Sequence, residues 1–144
     1  MSAAVTVVVV TQPAQRASAF DIRRQVFQDE QGVPAAEEFD ADDDVATHVL
    51  ALAGTQPVGT GRIVYHNDDA KIGRMAVLKA WRRHGVGRLI MGALTRDASA
   101  RGVTRLVLHA QVHAIPFYLR LGFAVISDTF DEAGIPHRRM ERRG

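Results

Sequence analysis

The sequence contains no cysteine, which excludes disulfides, thiolate metal ligands and a cysteine nucleophile in one step. Long hydrophobic runs are also missing. The apolar stretch at residues 5–10 falls far short of the roughly 20 residues that span a bilayer. Neither the basic region nor the small-residue cleavage site of a secretory signal accompanies it, so a cytoplasmic protein with no membrane partner is expected. Charge of one sign is scarce: the net charge is +2 over 144 residues despite an isoelectric point near 9.5. A nucleic-acid-binding domain carries a larger excess. Internal repeats, low-complexity tracts and linkers are absent, which leaves a single domain over residues 1–144 as the expected organisation. A chain of about 150 residues buries roughly two thirds of its extended surface, enough for a real core.

What is present is concentrated in residues 75–98, MAVLKAWRRHGVGRLIMGALTRDA. This stretch begins as a strand, turns through Arg82, Arg83, His84, Gly85, Val86, Gly87 and Arg88, and continues as a helix. The arginines supply positive charge, and the glycines leave backbone N–H groups open to close approach by a ligand. The following helix aims its unsatisfied amides and positive dipole end at the same spot. Together these make a phosphate cradle. A dinucleotide fingerprint fails because Ile90 stands where a third small residue is needed, and a Walker loop fails because no Lys and Ser/Thr pair follows either glycine. The six histidines do not fall at clustered ligand spacings, so no metal site is expected.

Around this stretch the remaining elements follow from pattern. The β-branched run at 5–10 predicts a strand, and Pro13 suits the first turn of a helix. Residues 14–28 place Phe20, Ile22, Val26 and Phe27 along one helical side, with Arg16, Arg23 and Arg24 largely on the other. Residues 46–52, 58–66 and 70–77 read as an antiparallel three-strand meander. The helix at 86–100 ends at Gly102, and a buried-type strand at 103–110 follows. Strand, helix, strand in that order implies parallel pairing with a right-handed crossover. Pro116 opens a helix at 115–121 that Gly122 ends, 123–127 resumes as strand, a loop surrounds Glu132, and 137–142 forms a last strand.

Between residues 29 and 44 eight acids occur without a base, half of the chain's carboxylates. Two readings stand side by side: a solvated loop kept extended by self-repulsion, and an electronegative wall beside a site for a cationic substrate.

Arg82, two residues, Gly85, one residue and Gly87, preceded by the strand IGRMAV, resembles the acyl-coenzyme A motif of the GNAT acetyltransferase superfamily. The resemblance covers nearly the whole chain. PFYLRLGF, with Phe117, Tyr118 and Phe123, looks like the superfamily's tyrosine-bearing helix followed by a Gly-Phe strand. VFQDEQGVP, THV, LHAQ and EAGIPH look most like the small bacterial ElaA-type branch. The resemblance implies an α/β (α+β) fold: a mixed, mostly antiparallel central sheet of about six to seven strands flanked by helices and splayed at one parallel strand pair.

It also implies roles. Acetyl-CoA would be the cosubstrate, its pyrophosphate on the amides of residues 83–88, with Arg82, Arg83 and Arg88 available to the phosphates. Met75, Ala76 and Val77 would pair with the pantetheine arm and present an amide to the thioester carbonyl. A donor aimed at a developing oxyanion is worth about 3–4 kcal/mol in other enzymes. Phe117 and Gln111 complete the cofactor side, Gln111 standing where many relatives carry asparagine. Tyr118 would protonate the departing thiolate.

Without cysteine an acyl-cysteine intermediate is impossible, so direct attack by a primary amine in a ternary complex is expected. An amine with a pKa near 10.4 must first lose a proton, which calls for a base or a water chain. Glu30 is the first candidate, with His48, His109, His113 and His137 behind it. The expected acceptor is a small cationic amine or a peptide amine. A binding protein that senses acyl-CoA without turnover is the alternative function, and sheet edges make a homodimer reasonable.

Overall fold

The computed structural model describes residues 4–144, so residues 1–3 of the expected domain lie outside the described residues. Its centre is an eight-stranded sheet: β1 (Val5–Val9), β2 (Thr47–Ala53), β3 (Gln56–His66), β4 (Asp69–Val77), β5 (Arg105–Gln111), β6 (Ala124–Val125), β7 (Phe130–Glu132) and β8 (Ile135–Arg143). The spatial order is β1-β2-β3-β4-β5-β8-β6, with β7 also on β8. All neighbours are antiparallel except β4 and β5. The extra strand is β7, which the sequence reading leaves as loop. Three residues are too few to show alternation, and their pairing partner is β8 across the turn at Ala133 and Gly134.

Four α-helices accompany the sheet: α1 (Pro13–Arg23), α2 (Ala35–Glu38), α3 (Val86–Ala100) and α4 (Ile115–Arg120). α3 packs Val86, Ile90, Met91, Leu94 and Ala98 onto a core that includes Val49, Val58, Ile63, Ile72 and Leu108. Full burial of each large aliphatic side chain contributes about 1.5–3 kcal/mol. The helix can lie this close because Gly59 and Gly61 have no side chain: a Cβ on Gly61 would come within 2.8 Å of Ile90 Cγ2 and 2.9 Å of Met75 Sδ. On the opposite face, Ala19, Ile22 and Val26 cover Leu50 and Ala76.

α1 does not continue as an α-helix to residue 28 as its periodicity suggests. From Arg24 to Glu30 it widens into a π-helix, closed by the amide of Gln31 donating to the carbonyl of Val26 at 3.2 Å. Such widened turns recur at functional sites, and here the segment brings Glu30 to Arg82 and the residue after it, Gln31, to Gln111 at the end of β5.

The acidic run is not an extended solvated loop. It folds into α2 and a 3₁₀ turn over Ala41–Asp44, and it buries Glu38 and Asp43. Their partner is Arg23, expected on the polar side of α1 yet only 1% exposed. Arg23 Nε donates to Glu38 Oε2 at 2.7 Å, and Nη1 donates to Asp43 Oδ1 at 2.7 Å. Arg62 Nη1 donates to Asp40 Oδ1 and Asp43 Oδ1, both at 2.7 Å, and Arg74 Nε donates to the carbonyl of Glu38 at 2.8 Å. Burial alone would raise the pKa of Asp43, but the arginines beside it outweigh that and hold the carboxyl well below the usual range.

Candidate active site

β4 and β5 pair at only four positions, from Asp69↔Arg105 to Ile72↔Leu108, and then separate. Over residues 73–77 the β5-facing edge of β4 has no strand partner. At the start of that stretch β4 carries an irregularity. The register with β3 shifts between Thr60↔Ala76 and Arg62↔Gly73, so Arg74 and Met75 together oppose Gly61. Arg74 takes φ +50° to make this bulge, a conformation that side chains other than glycine rarely adopt. Bulges re-aim backbone and side chains beside active sites. This one lies next to Gly73.

The separated strands open a cleft of about 710 Å³. Met75, Ala76 and Val77 form its β4 wall, and His109, Gln111 and Tyr118 line the other side. Tyr118, in α4, is 9% exposed. Its hydroxyl takes no hydrogen-bond partner among the described residues, and burial pushes its pKa up to about 12. The phenol therefore keeps its proton through the neutral range.

After β4, the chain passes a 3₁₀ turn at Lys79–Trp81 and reaches the glycine-containing loop. Arg83 at φ +65° and Gly85 at φ +79° bend the backbone into α3, and Gly85 caps the helix with no side-chain hydrogen bond to its amides. The first free amides of a helix attract anions through partial charge and geometry. Arg82, Arg83, His84, Gly85 and Arg88 are exposed, Val86 is buried in the core, and Gly87 is half-buried. A Cβ on Gly87 would meet Phe117 Cζ at 3.3 Å, so this glycine lets α3 and α4 approach. Of the loop only Arg82 lines the cleft.

The predicted acceptor-side residues separate. Glu30 does not line the cleft. It accepts both Arg82 Nη2 and Nη1, at 2.7 and 3.0 Å. His48 is buried away from the cleft, its Nε2 2.9 Å from the carbonyl of Asp43. His109 and His137 both line the cleft, as does His113. Gln111 exchanges two amide hydrogen bonds with Gln31, at 3.0 and 3.2 Å, tying the end of the π-helix to β5.

Several polar cleft-lining residues escape the sequence reading, among them Gln31, Arg62, Lys71, Arg74 and Glu132. Glu132 Oε1 sits 2.9 Å from His109 Nδ1, and Oε2 is 3.6 Å from His137 Nε2. The available signal is strand alternation. Register places Lys71, Val107 and Glu141 side by side, then His109 opposite Arg139 and Gln111 opposite His137, so Lys71, His109, Gln111, His137, Arg139 and Glu141 share one face.

A sheet splayed at one parallel pair, a bulged strand at the fork and a glycine-containing helix start are the features of an acyltransferase. Residues 10–143 match the acetyltransferase (GNAT) domain family, and the chain belongs to that family. It is 40% identical over 134 residues to the uncharacterized N-acetyltransferase YjcF of Bacillus subtilis strain 168, covering 92% of this chain and 96% of that one. It is 32% identical over 127 residues to protein ElaA of Escherichia coli K12, covering 84% and 82%. Among solved structures, an acyl-CoA N-acyltransferase from Pseudomonas aeruginosa superposes with a TM-score of 0.85 at 28% identity, covering 98% of this chain and 99% of that chain. An aminoglycoside 6'-N-acetyltransferase complexed with coenzyme A shares the fold alone, with a TM-score of 0.77 at 15% identity over 95% and 96%. Among the described residues no helix is long and apolar enough to cross a membrane, and no group of three or more His, Cys, Asp and Glu is placed to hold a metal ion.

Proposed function

We propose that the protein, acting as one domain in the cytoplasm, transfers an acetyl group from acetyl-CoA directly to a primary amine. The observation that carries this reading is the fork itself: the unpaired edge at residues 73–77, bulged at Arg74, faces Tyr118 across the cleft. A strand edge without a partner offers amides and carbonyls to a strand-like pantetheine arm. Met75, Ala76 and Val77 supply that edge. The amides of residues 83–88, with the side chains of Arg83 and Arg88, take the pyrophosphate, and charge-assisted bonds to phosphate are roughly twice as strong as neutral ones. Phe117 and Gln111 flank the arm. A neighbour of the same fold is solved with coenzyme A, which supports a coenzyme A thioester as the partner.

In the proposed reaction the amine nitrogen attacks the thioester carbon, the carbon–sulfur bond breaks, and Tyr118 gives its proton to the sulfur. Glu37 and Asp42 favour a cationic acceptor. Both line the cleft, and neither carboxylate has an arginine partner among the described residues, although the main-chain carbonyl of Glu37 accepts from Arg74 Nη2 at 3.3 Å. They replace the acidic run as a whole, whose other six carboxylates are each held by an arginine.

The test is titration calorimetry with acetyl-CoA, followed by thiol release across polyamines, aminoglycosides and peptide amines. Absence of saturable acetyl-CoA binding to folded protein sinks the proposal. Binding with no thiol release from any amine points instead to an acyl-CoA sensor.

A further inference from the structure

The geometry points to His109, oriented by Glu132, as the base that takes the proton of the acceptor ammonium. This inference rests on the acetyl-transfer reading above and supplies the one group that reading leaves unassigned.

His109 follows Leu108, the last β5 residue paired with β4, so it sits where the two strands part. Its ring is held on two sides. Glu132 accepts at Nδ1, and the ring of Phe130 meets it edge-on with centroids 5.1 Å apart. Both come from β7, whose register with β8 places Phe130 opposite His137 and Glu132 opposite Ile135.

The tautomer follows from the partner. An ionised carboxylate only accepts hydrogen bonds, and the hydrogen bond from His109 outweighs partial burial to keep Glu132 below the usual carboxylate range. Nδ1 therefore carries the proton, and the neutral ring keeps its lone pair on Nε2. A base whose other nitrogen is fixed by a carboxylate is the arrangement proton abstraction requires.

The other candidates lack it. His137 donates from Nδ1 to the carbonyl of Ile135 at 2.7 Å, which leaves its Nε2 facing Glu132 rather than a substrate. Glu30 is held by Arg82, His48 is buried outside the cleft, and exposed His113 has no orienting partner among the described residues.

The proton count closes. His109 Nε2 takes one proton from the ammonium and releases it to solvent. The freed amine attacks the thioester carbon, and collapse of the adduct breaks the carbon–sulfur bond. The electron pair goes to sulfur, which receives the proton of Tyr118, and the phenol recovers it from the nitrogen. Ammonium and acetyl-CoA thus yield an amide, a thiol and one released proton.

The charged and titratable groups around the ring are Glu132 on β7, His137 and Arg139 on β8, and Lys71 and Arg74 on β4; Gln111 on β5 and Gln31 beyond the π-helix complete the polar surroundings.

The probe amine is whichever of spermidine, tobramycin and a lysyl peptide the wild-type enzyme acetylates fastest. His109→Gln is expected to lower kcat/KM for that amine by about a hundredfold or more, the low end of general-base contributions. Its affinity for acetyl-CoA by calorimetry and its melting temperature should stay near wild type. The acidic limb of the rate profile should disappear, and added imidazole should restore turnover to His109→Ala. Glu132→Gln should lower kcat less and move the acidic limb to lower pH, because the imidazolium loses its carboxylate; a merely structural role would not move that limb. In ¹⁵N NMR of the free protein, the neutral ring should be protonated at Nδ1. A His109→Gln enzyme with wild-type rate and pH profile, or a neutral ring protonated at Nε2, overturns the assignment of the base alone. A wild-type protein that does not bind acetyl-CoA removes the acetyl-transfer reading and the base with it.

Discussion

Arg82 and Glu30 lock together through both carboxylate oxygens, joining the glycine-containing loop to the end of the π-helix 52 residues away in sequence. The first arginine of the proposed cradle is thus already engaged by an anion, and a phosphate must compete with it. Both side chains are more than a third exposed, and pairs of that kind contribute about 0.2–1 kcal/mol. Glu30→Gln is therefore expected to tighten acetyl-CoA binding by up to about fivefold, as that energy converts to affinity. Calorimetry measures the change directly. Weaker binding would mean that Glu30 positions Arg82 for the phosphates, and a collapse of kcat would return Glu30 to the role of base.

Asp43 anchors the acidic segment by accepting from Arg23 and Arg62. Its substitution by asparagine leaves two buried guanidinium groups short of a counter-charge. Breaking a buried pair costs about 3–5 kcal/mol, and the loss should show as a lower urea midpoint. The pH dependence has a definite sign. Because its folded pKa lies below the unfolded value of 3.8, Asp43 contributes its full stabilisation above that value and loses it as pH falls toward the folded one. Wild type and Asp43→Asn should therefore converge in stability on acidification. A constant gap down to low pH would show that the contribution is not ionic.

The strand, glycine-containing loop and helix of residues 75–100 are legible in the sequence because their signals are local. A strand, two glycines and an apolar helical period occupy one continuous stretch, and α3 ends within a residue of where Gly102 predicts. The acidic segment was not legible because its partners are distant. Arg62 and Arg74 lie 19 to 37 residues from the groups they bind, and a charge run carries no trace of what neutralises it. Arg23 looked like a surface residue for the same reason. The π-helix was hidden because Val26 and Phe27 continue the apolar pattern of α1, and the widening appears only in hydrogen bonds. The His109 and Glu132 pair needs the register of β5, β8 and β7 together, which no single stretch encodes.

Gly61 tests the bulge. It faces Arg74 and Met75 on one side of the register shift and packs under α3. Gly61→Ala would push a methyl against Ile90, Met75 and Leu94 at 2.8 to 3.1 Å. Overpacking of a filled core typically costs about 1–3 kcal/mol, readable as a lower denaturation midpoint. Met75 lies on the wall proposed to hold the pantetheine, so acetyl-CoA affinity should fall with it. A variant as stable as wild type but with weakened acetyl-CoA binding would place the whole effect on β4. One with lost stability and unchanged affinity would detach the bulge from the cofactor.

Tyr118→Phe separates chemistry from packing. The hydroxyl has no hydrogen-bond partner among the described residues, while the ring packs edge-on against Phe117 and Phe123 with centroids 5.0 and 6.1 Å apart. Removing the oxygen keeps those contacts and leaves no group newly unpaired, so the melting temperature should hold. Catalysis should not. A positioned general acid contributes about 10²–10⁴-fold, and kcat should drop by at least the lower figure while the KM for acetyl-CoA stays near wild type. Burial pushes the phenol up to about 12, so the donor form persists across the working range and Tyr118 imposes no basic limb below that value. A basic limb near neutrality that vanishes in Tyr118→Phe would mean that the phenol ionises far more readily than its burial allows. An unchanged kcat would remove Tyr118 from proton transfer and leave water to protonate the departing thiolate.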